Sequence, residues 1–429
     1  MRRQRAPRLD ESPVDESLAV FHQAIASIDE PVGQHSDPDR PLAPGSWLTG
    51  RRLDALFDAQ LASRHLDHTA RWLRAQDRGF YTIGSGGHES NALVAAALRP
   101  SDPALLHYRS GAFYLARAQQ VPGHDGVADI LGGLLAAADE PIAGGRHKVF
   151  GHPDLAVIPQ TSTIASHLPR AVGVAYAIAL AERCGSATIW PADAIAVASF
   201  GDASLNHSTA QGAINAAGQL DHRGVELPLL LVCEDNGLGI SVPTPPGWVE
   251  ASLGARPGVP YVLAEGTDPL GVFEAAEELV EYAREQRRPA ILHLRTVRYG
   301  GHAGSDVEAS YRNAASIRAE RAADPIVATA RTLIAAGLAT AADLHRRAVE
   351  SRAMVQWAAT SMMDCRRLET AEEVMAPLDP RTPARARVVA QLAAQGAPDD
   401  ERQQFFGRLP NRVMRSPWPS RSTARSVSC

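Results

Sequence analysis

The stretch Gly201–Ser241 reads GDASLNHSTAQGAINAAGQLDHRGVELPLLLVCEDNGLGIS. It follows the apolar run AIAVASF (194–200) and contains a second, LPLLLVC (227–233), which closes on Glu-Asp-Asn. Both runs are short, rich in Val, Ile, Leu and Ala, and bounded by Gly or Pro, as expected for strands buried on both faces of a parallel sheet. Between them STAQGAINAAGQL has helical composition, with small residues that let a helix lie close to the sheet. The unit is strand, turn, helix, strand. In such units ligands bind at the carboxyl ends of the strands, where Gly201-Asp202 and Asp235-Asn236 both fall.

A hard cation such as Mg²⁺ takes oxygen ligands, one or two from protein and the rest from phosphates and water. Asp202 and the amide oxygen of Asn236 suit that task. The same residue types also serve as a helix cap and a turn residue, so the pair alone leaves both readings open.

Three further segments join this one. They are LLHYRSGAFYLARA (Leu105–Ala118), IPQTSTIASHLPRAVGVAYA (Ile158–Ala177) and LRTVRYGGHAGSDVEASYR (Leu294–Arg312). In order and spacing, the four segments resemble the E1 alpha subunits of thiamine diphosphate-dependent 2-oxo acid dehydrogenase complexes. The resemblance covers about 80–312 and is nearest to the branched-chain, 2-oxoisovalerate type. It implies an α/β thiamine diphosphate-binding fold, a doubly wound, mostly parallel sheet flanked by helices.

The resemblance also implies roles. Tyr108 and Arg109 would hold the diphosphate, the arginine through charge-assisted hydrogen bonds. Ser162 and Ile164 would line the pyrimidine side. Asp202, Ala203 and Ser204 open the cofactor motif; Asp202 and Asn236 would bind Mg²⁺, completed by the carbonyl of Leu238. His302 would stand over the thiazolium as the catalytic residue, and its neighbours, Gly-Gly before and Ala-Gly after, are not those of a core position. The implied partners are an E1 beta subunit in an alpha2beta2 assembly, the lipoyl domain of an E2 protein and a small 2-oxo acid. The implied reaction is oxidative decarboxylation with acyl transfer to the lipoyl group. A beta-side Glu would complete the cofactor site, so the isolated chain is expected to be inactive. VRYGGHAGSD and GISVPT favour a branched-chain 2-oxo acid over pyruvate or acetoin.

Several positions depart from the family pattern. Ala203 stands where the motif has Gly, and Asp235 replaces the first Asn of its close. The interval from Asp202 to Asn236 is several residues longer than usual, through an extra turn around DHRGVEL (221–227). Gly300 stands where pyruvate-type relatives have another His, and Ala303 where mitochondrial enzymes carry a phosphorylated Ser, although Ser305 remains in the loop. These departures keep a non-catalytic subunit in view. A nicotinamide enzyme is disfavoured, because GSGGHE (84–89) has Glu at the third glycine position of a dinucleotide fingerprint.

With 429 residues and a formal net charge of -5, the chain has no basic field for nucleic acid. Lys148 is its one lysine, which removes Schiff-base chemistry elsewhere. Cys184, Cys233, Cys365 and Cys429 show no metal spacing and fit a reducing cytoplasm. No stretch is long and apolar enough to span a membrane. The expected organisation is an N-terminal arm (1–45) whose amphipathic patch SLAVFHQAIASI packs on a partner, then the cofactor-binding domain (46–375). That domain opens with a helix over 46–76 and ends, from about 324, in two helices separated by Gly337. A tail (376–429), rich in Arg, Ser and Pro toward its end, is expected to be partly disordered. The chain reads as a separate alpha subunit or as a truncated piece of a fused alpha-beta enzyme.

Overall fold

The computed structural model describes residues 13–28, 37–79, 83–140, 142, 149–160, 163–186, 188–304, 306–376, 387 and 391. Its main sheet has five parallel strands in the order β1-β2-β3-β7-β6: β1 Ala104–Leu105, β2 Ala196–Gly201, β3 Leu229–Asp235, β6 Tyr261–Glu265 and β7 Ala290–Arg295. A two-stranded ribbon, β4 Leu238–Gly239 and β5 Val242–Pro243, follows β3.

Alternation along the strands serves two cores. Ile195, Val197, Leu230, Val232, Leu292 and Leu294 face one, and Ala196, Ala198, Phe200, Leu229, Leu231 and Cys233 face the other. The helices Leu168–Arg183 and Ser208–His222 cover the second face; Gly50–Ala75, Asn91–Ala97, Gly111–Gln119 and Pro269–Glu285 supply the first. Both faces are dry, which is why the central strands are apolar without polar alternation. The α/β expectation is met.

The expected unit is present as β2, a 3₁₀ turn Asp202–Asn206, the helix Ser208–His222 and β3. The extra residues of DHRGVEL end that helix, with Gly224 at φ +69°, and enter β3 at its amino end. The insertion therefore lies at the opposite end of β3 from Asp235 and Asn236. The helix expected over 46–76 runs Gly50–Ala75, with the Thr49 side chain accepting from Arg52 N–H. The pair expected near the carboxyl end is Pro325–Ala335 and Ala341–Met362, separated at Gly337 with φ +65°.

The N-terminal patch departs from expectation. The helix Pro13–Ala26 buries Phe21 and Ile25 in the chain's own core, with the Phe21 and Phe57 rings 6.2 Å apart, instead of keeping them for a partner. The chain divides into two compact units at Glu369/Thr370. In the second, the short helix Ala371–Met375 carries a capping box between Thr370 and Glu373. The remainder of the proposed tail lies mostly outside the described residues. No helix among the described residues is long and apolar enough to cross a membrane.

Candidate functional site

The carboxyl ends of four adjacent strands carry the site. β1 leads to His107, Tyr108 and Arg109; β2 ends at Gly201-Asp202, β3 at Asp235-Asn236, and β7 runs on through Arg298 to His302.

The floor of the site is a polar network that sequence reading missed. Glu234, fully buried in β3, accepts from Ser110 Oγ at 2.7 Å, Asn91 Nδ2 at 3.2 Å and His88 Nδ1 at 2.7 Å. Ser110 Oγ also meets Ser199 Oγ at 3.0 Å, and Ser199 Oγ accepts from His107 N–H at 2.8 Å. Buried polar atoms need such partners, since leaving one unpaired costs about 1–3 kcal/mol. The other nitrogen of His88 lies 2.9 Å from Asn236 Nδ2. A carboxylate on one side and an amide NH₂ on the other select a single tautomer, with the proton on Nδ1 and a lone pair on Nε2. The Asn236 amide is thereby oriented with its nitrogen toward His88 and its oxygen toward the Leu238 N–H, 3.1 Å away.

Asp202 is buried, and burial first, then the nearby Asp235 carboxylate, push its carboxyl above the ordinary aspartate value. The Thr244 hydroxyl donates to it, but it has no ion-pair partner among the described residues. Asp235 is differently placed. Its two oxygens accept from His293 Nε2 at 2.9 Å and Gly237 N–H at 2.9 Å. Burial raises its carboxyl, yet these bonds hold it below the usual value. Tyr261 OH lies 2.7 Å from His293 Nδ1, so Asp235 belongs to a second relay beside the site. A buried carboxylate lacking positive charge, an amide oxygen and a carbonyl make a hard-oxygen donor set of the kind Mg²⁺ takes. The residues fit.

Ala203 is accommodated by its neighbour. A Cβ on Gly239 would stand 2.9 Å from the Ala203 methyl, so glycine at 239 gives the room that alanine at 203 uses. Ser204 is buried in the same turn.

On the other side, Arg109 donates to Gly84 O at 2.5 Å and approaches His302 Nδ1 at 3.1 Å and His302 O at 3.3 Å. Tyr108 meets the His302 ring edge-on at 5.9 Å. Burial first, then Arg109 and Arg298, pull the His302 imidazole down to about 4, so the ring is neutral near pH 7. The structure thus unites Tyr108, Arg109 and His302. It keeps Asp202, Asn236 and Leu238 as a second group, with His107 between, its ring 4.0 Å from that of Tyr108 and 6.0 Å from that of His88.

The loop bearing His302 is laced at both ends. Asp306 accepts from His302 N–H at 2.5 Å and Tyr311 OH at 2.7 Å, while buried Arg298 donates to Tyr311 OH at 2.5 Å and Ile240 O at 2.6 Å. GSGGHE, no dinucleotide fingerprint, pairs with the start of this loop. Val297 N–H donates to Gly87 O at 3.2 Å and Tyr299 N–H to Gly86 O at 3.0 Å. Gly87 has φ +93°, and a Cβ there would meet Val297 O at 2.1 Å, so no other residue fits. Ile164, expected on the pyrimidine side and so proposed as the rim of the site, is 42% exposed, and Ser162 lies outside the described residues.

The fold is consistent with that of thiamine diphosphate-binding E1 subunits, and a family model for the dehydrogenase E1 component matches residues 58–370. The chain belongs to that family, which implies thiamine diphosphate as cofactor. It is 27% identical over 288 residues to the 2-oxoisovalerate dehydrogenase subunit alpha of Bacillus subtilis (strain 168), covering 65% of this chain and 81% of that one. Similarity to the mitochondrial 2-oxoisovalerate dehydrogenase subunit alpha 2 of Arabidopsis thaliana is 28% over 242 residues, 56% of this chain and 47% of that one. The mitochondrial pyruvate dehydrogenase E1 component subunit alpha of Sminthopsis macroura is 25% identical over 284 residues, 66% of this chain and 72% of that one. Against the Arabidopsis relative and that of Caenorhabditis elegans, the match spans about half of the relative's length, 47% and 52%.

Proposed function

We propose that the chain is the alpha subunit of a 2-oxo acid dehydrogenase, holding thiamine diphosphate and Mg²⁺ at the carboxyl edge of its sheet. The observation that carries this is the buried Asp202 carboxylate with no ion-pair partner among the described residues, beside an Asn236 amide whose orientation His88 dictates. Asp202, Asn236 Oδ1 and the Leu238 carbonyl would hold the metal, with Ala203 and Ser204 beside the diphosphate. Arg109 and Tyr108 would meet the diphosphate from the other side, and Ser162 and Ile164 the ring system. When bound, the cofactor supplies the carbanion chemistry that releases CO₂ from a 2-oxo acid. The chain's own part is positional and electrostatic. Neutral His302, its Nδ1 directed at Arg109, presents Nε2–H as a donor for a substrate carboxylate or an incoming lipoyl group.

The partner is a beta-type subunit in an alpha2beta2 assembly, with the lipoyl domain of an E2 protein as acyl acceptor. Branched-chain 2-oxo acids are the favoured substrates, supported by the 2-oxoisovalerate-type relatives; pyruvate-type relatives make pyruvate the competitor. The three described cysteines are free, in keeping with a cytoplasmic location.

The test is to co-express the chain with a beta-type subunit and measure thiamine diphosphate binding by calorimetry with and without Mg²⁺. Decarboxylation of 2-oxoisovalerate and pyruvate is then followed with an artificial electron acceptor. Mg²⁺-dependent binding with faster turnover of 2-oxoisovalerate is expected. Binding that ignores Mg²⁺, or an assembly that binds no cofactor, overturns the proposal.

A further inference from the structure

We infer that His124, Asp129 and His152 form a second metal site, suited to a zinc-class ion and separate from the cofactor centre. His124 precedes Asp125, the N-cap of the helix Gly126–Leu135, and Asp129 lies in that helix's first turn. His152 comes from a distant turn, which pairs with Val157 and through it with Ala104 of β1. One ligand atom from each of the three lies within 4.8 Å of the others. His124 Nε2 is 2.7 Å from Asp129 Oδ2, and the two imidazoles meet edge-on with centroids 4.4 Å apart. The His124, Asp129 and His152 side chains are only 9%, 19% and 19% exposed, so the trio is largely sheltered from solvent.

Two imidazoles and one carboxylate are a donor set that Zn²⁺ and its neighbours take and Mg²⁺ does not. Three protein ligands leave a fourth position for water. The surroundings supply the outer groups that metal-bound residues need. Tyr114 OH, on the helix that follows Arg109, donates to Asp129 Oδ2 at 2.6 Å. The Asp154 carboxylate lies 3.9 Å from His152 Nδ1, which now accepts the Asp154 N–H at 3.2 Å. With Nε2 on the metal the ring proton sits on Nδ1, so the Asp154 N–H must turn away and the Asp154 carboxylate take its place as Nδ1's partner. The ion would clasp the turn at His152, which leads to the segment carrying Ser162 and Ile164, onto the helix Gly126–Leu135. A second such cluster among the described residues, His88, His107 and Glu234, is fully buried, and its His88 and Glu234 are committed to the site floor.

The test strips the full-length chain with a chelator, adds Zn²⁺ without thiamine diphosphate, and measures retained metal after gel filtration. One equivalent is expected in the wild type and in His88→Gln. It is lost in the His124→Gln/His152→Gln double variant, whose circular dichroism reports whether it has folded. Tyr114→Phe keeps the stoichiometry but weakens affinity roughly 10- to 100-fold. A second reading, independent of any variant, is the visible spectrum of Co²⁺ bound to the wild type, where strong bands of a four-coordinate ion are expected. Retention of no zinc, retention in the folded double variant, loss in a His88→Gln variant that circular dichroism shows to be folded, or a weak six-coordinate cobalt spectrum overturns the inference.

Discussion

The wall around Glu234 and the rim around Ile164 are built in opposite ways. Glu234 has no exposure and is held by three donors from two other segments, and every link from it to Asn236 is made within the chain. At the rim, Ile164, Ile240 and Val307 keep 42%, 58% and 63% of their surface in water. Strand ends fix polar groups to within a rotamer, whereas loops hold theirs by a few bonds such as Asp306 to His302. The groups proposed to hold the metal are thus fixed by the chain's own contacts, while these apolar side chains stay exposed, as the proposed second subunit would require.

The sharpest way to break this contrast is at Asp202. Asp202→Asn should abolish Mg²⁺-dependent binding of thiamine diphosphate, yet the free chain should melt no lower, because burial raises the native carboxyl and so opposes its charge; a clear fall in Tm would contradict this. Next comes the wall itself. His88→Ala should weaken Mg²⁺ binding about 10- to 100-fold by freeing the Asn236 amide. It should also cost about 1–3 kcal/mol in urea unfolding by leaving Glu234 short of a donor. Unchanged affinity would mean that the amide is oriented by Leu238 N–H alone.

Gly239→Ala should cost about 1–3 kcal/mol through contact with Ala203. The Ala203→Gly/Gly239→Ala double variant should recover most of that loss, and a double-mutant cycle measures the coupling.

Acid is the next probe. The folded His302 stays neutral to about 4, below its ordinary 6.5. Buried His167 does likewise, held to about 4 chiefly by burial. The unfolded chain therefore binds protons that the folded chain refuses. Stability from these groups is full above about 6.5 and falls as pH drops toward 4. By NMR titration, Arg109→Gln should raise the His302 value by about one unit. The smallest effect belongs to the rim. Ile164→Ser should change stability by no more than about 0.5 kcal/mol, while weakening cofactor binding in the assembled enzyme.

Legibility followed the same divide. The strand-helix-strand unit was readable because burial on both faces leaves a nearly continuous apolar signature in β2 and β3. The positions of Asp202 and Asn236, the proposed metal pair, were readable because each directly follows the end of its strand. His88 stands in GSGGHE, whose glycine spacing carries no sign of a contact with β3. Ser199 and Glu234, polar residues inside apolar strands, were the available signal for the wall. The amphipathic patch around Phe21 carried no sign of where its apolar face would go, and it went to Phe57 of the same chain.

The sequence by itself determined the α/β class, the family, the two strand ends that carry Asp202 and Asn236, and the loop that carries His302. Local composition and periodicity suffice for these, because each depends on neighbours along the chain. Only the tertiary structure decided which tautomer His88 holds, why Asp235 pairs with His293, how Gly239 makes room for Ala203, and that His124 and His152 meet at Asp129. Each of those is a contact between segments far apart in sequence, settled by the few ångströms that packing leaves between them.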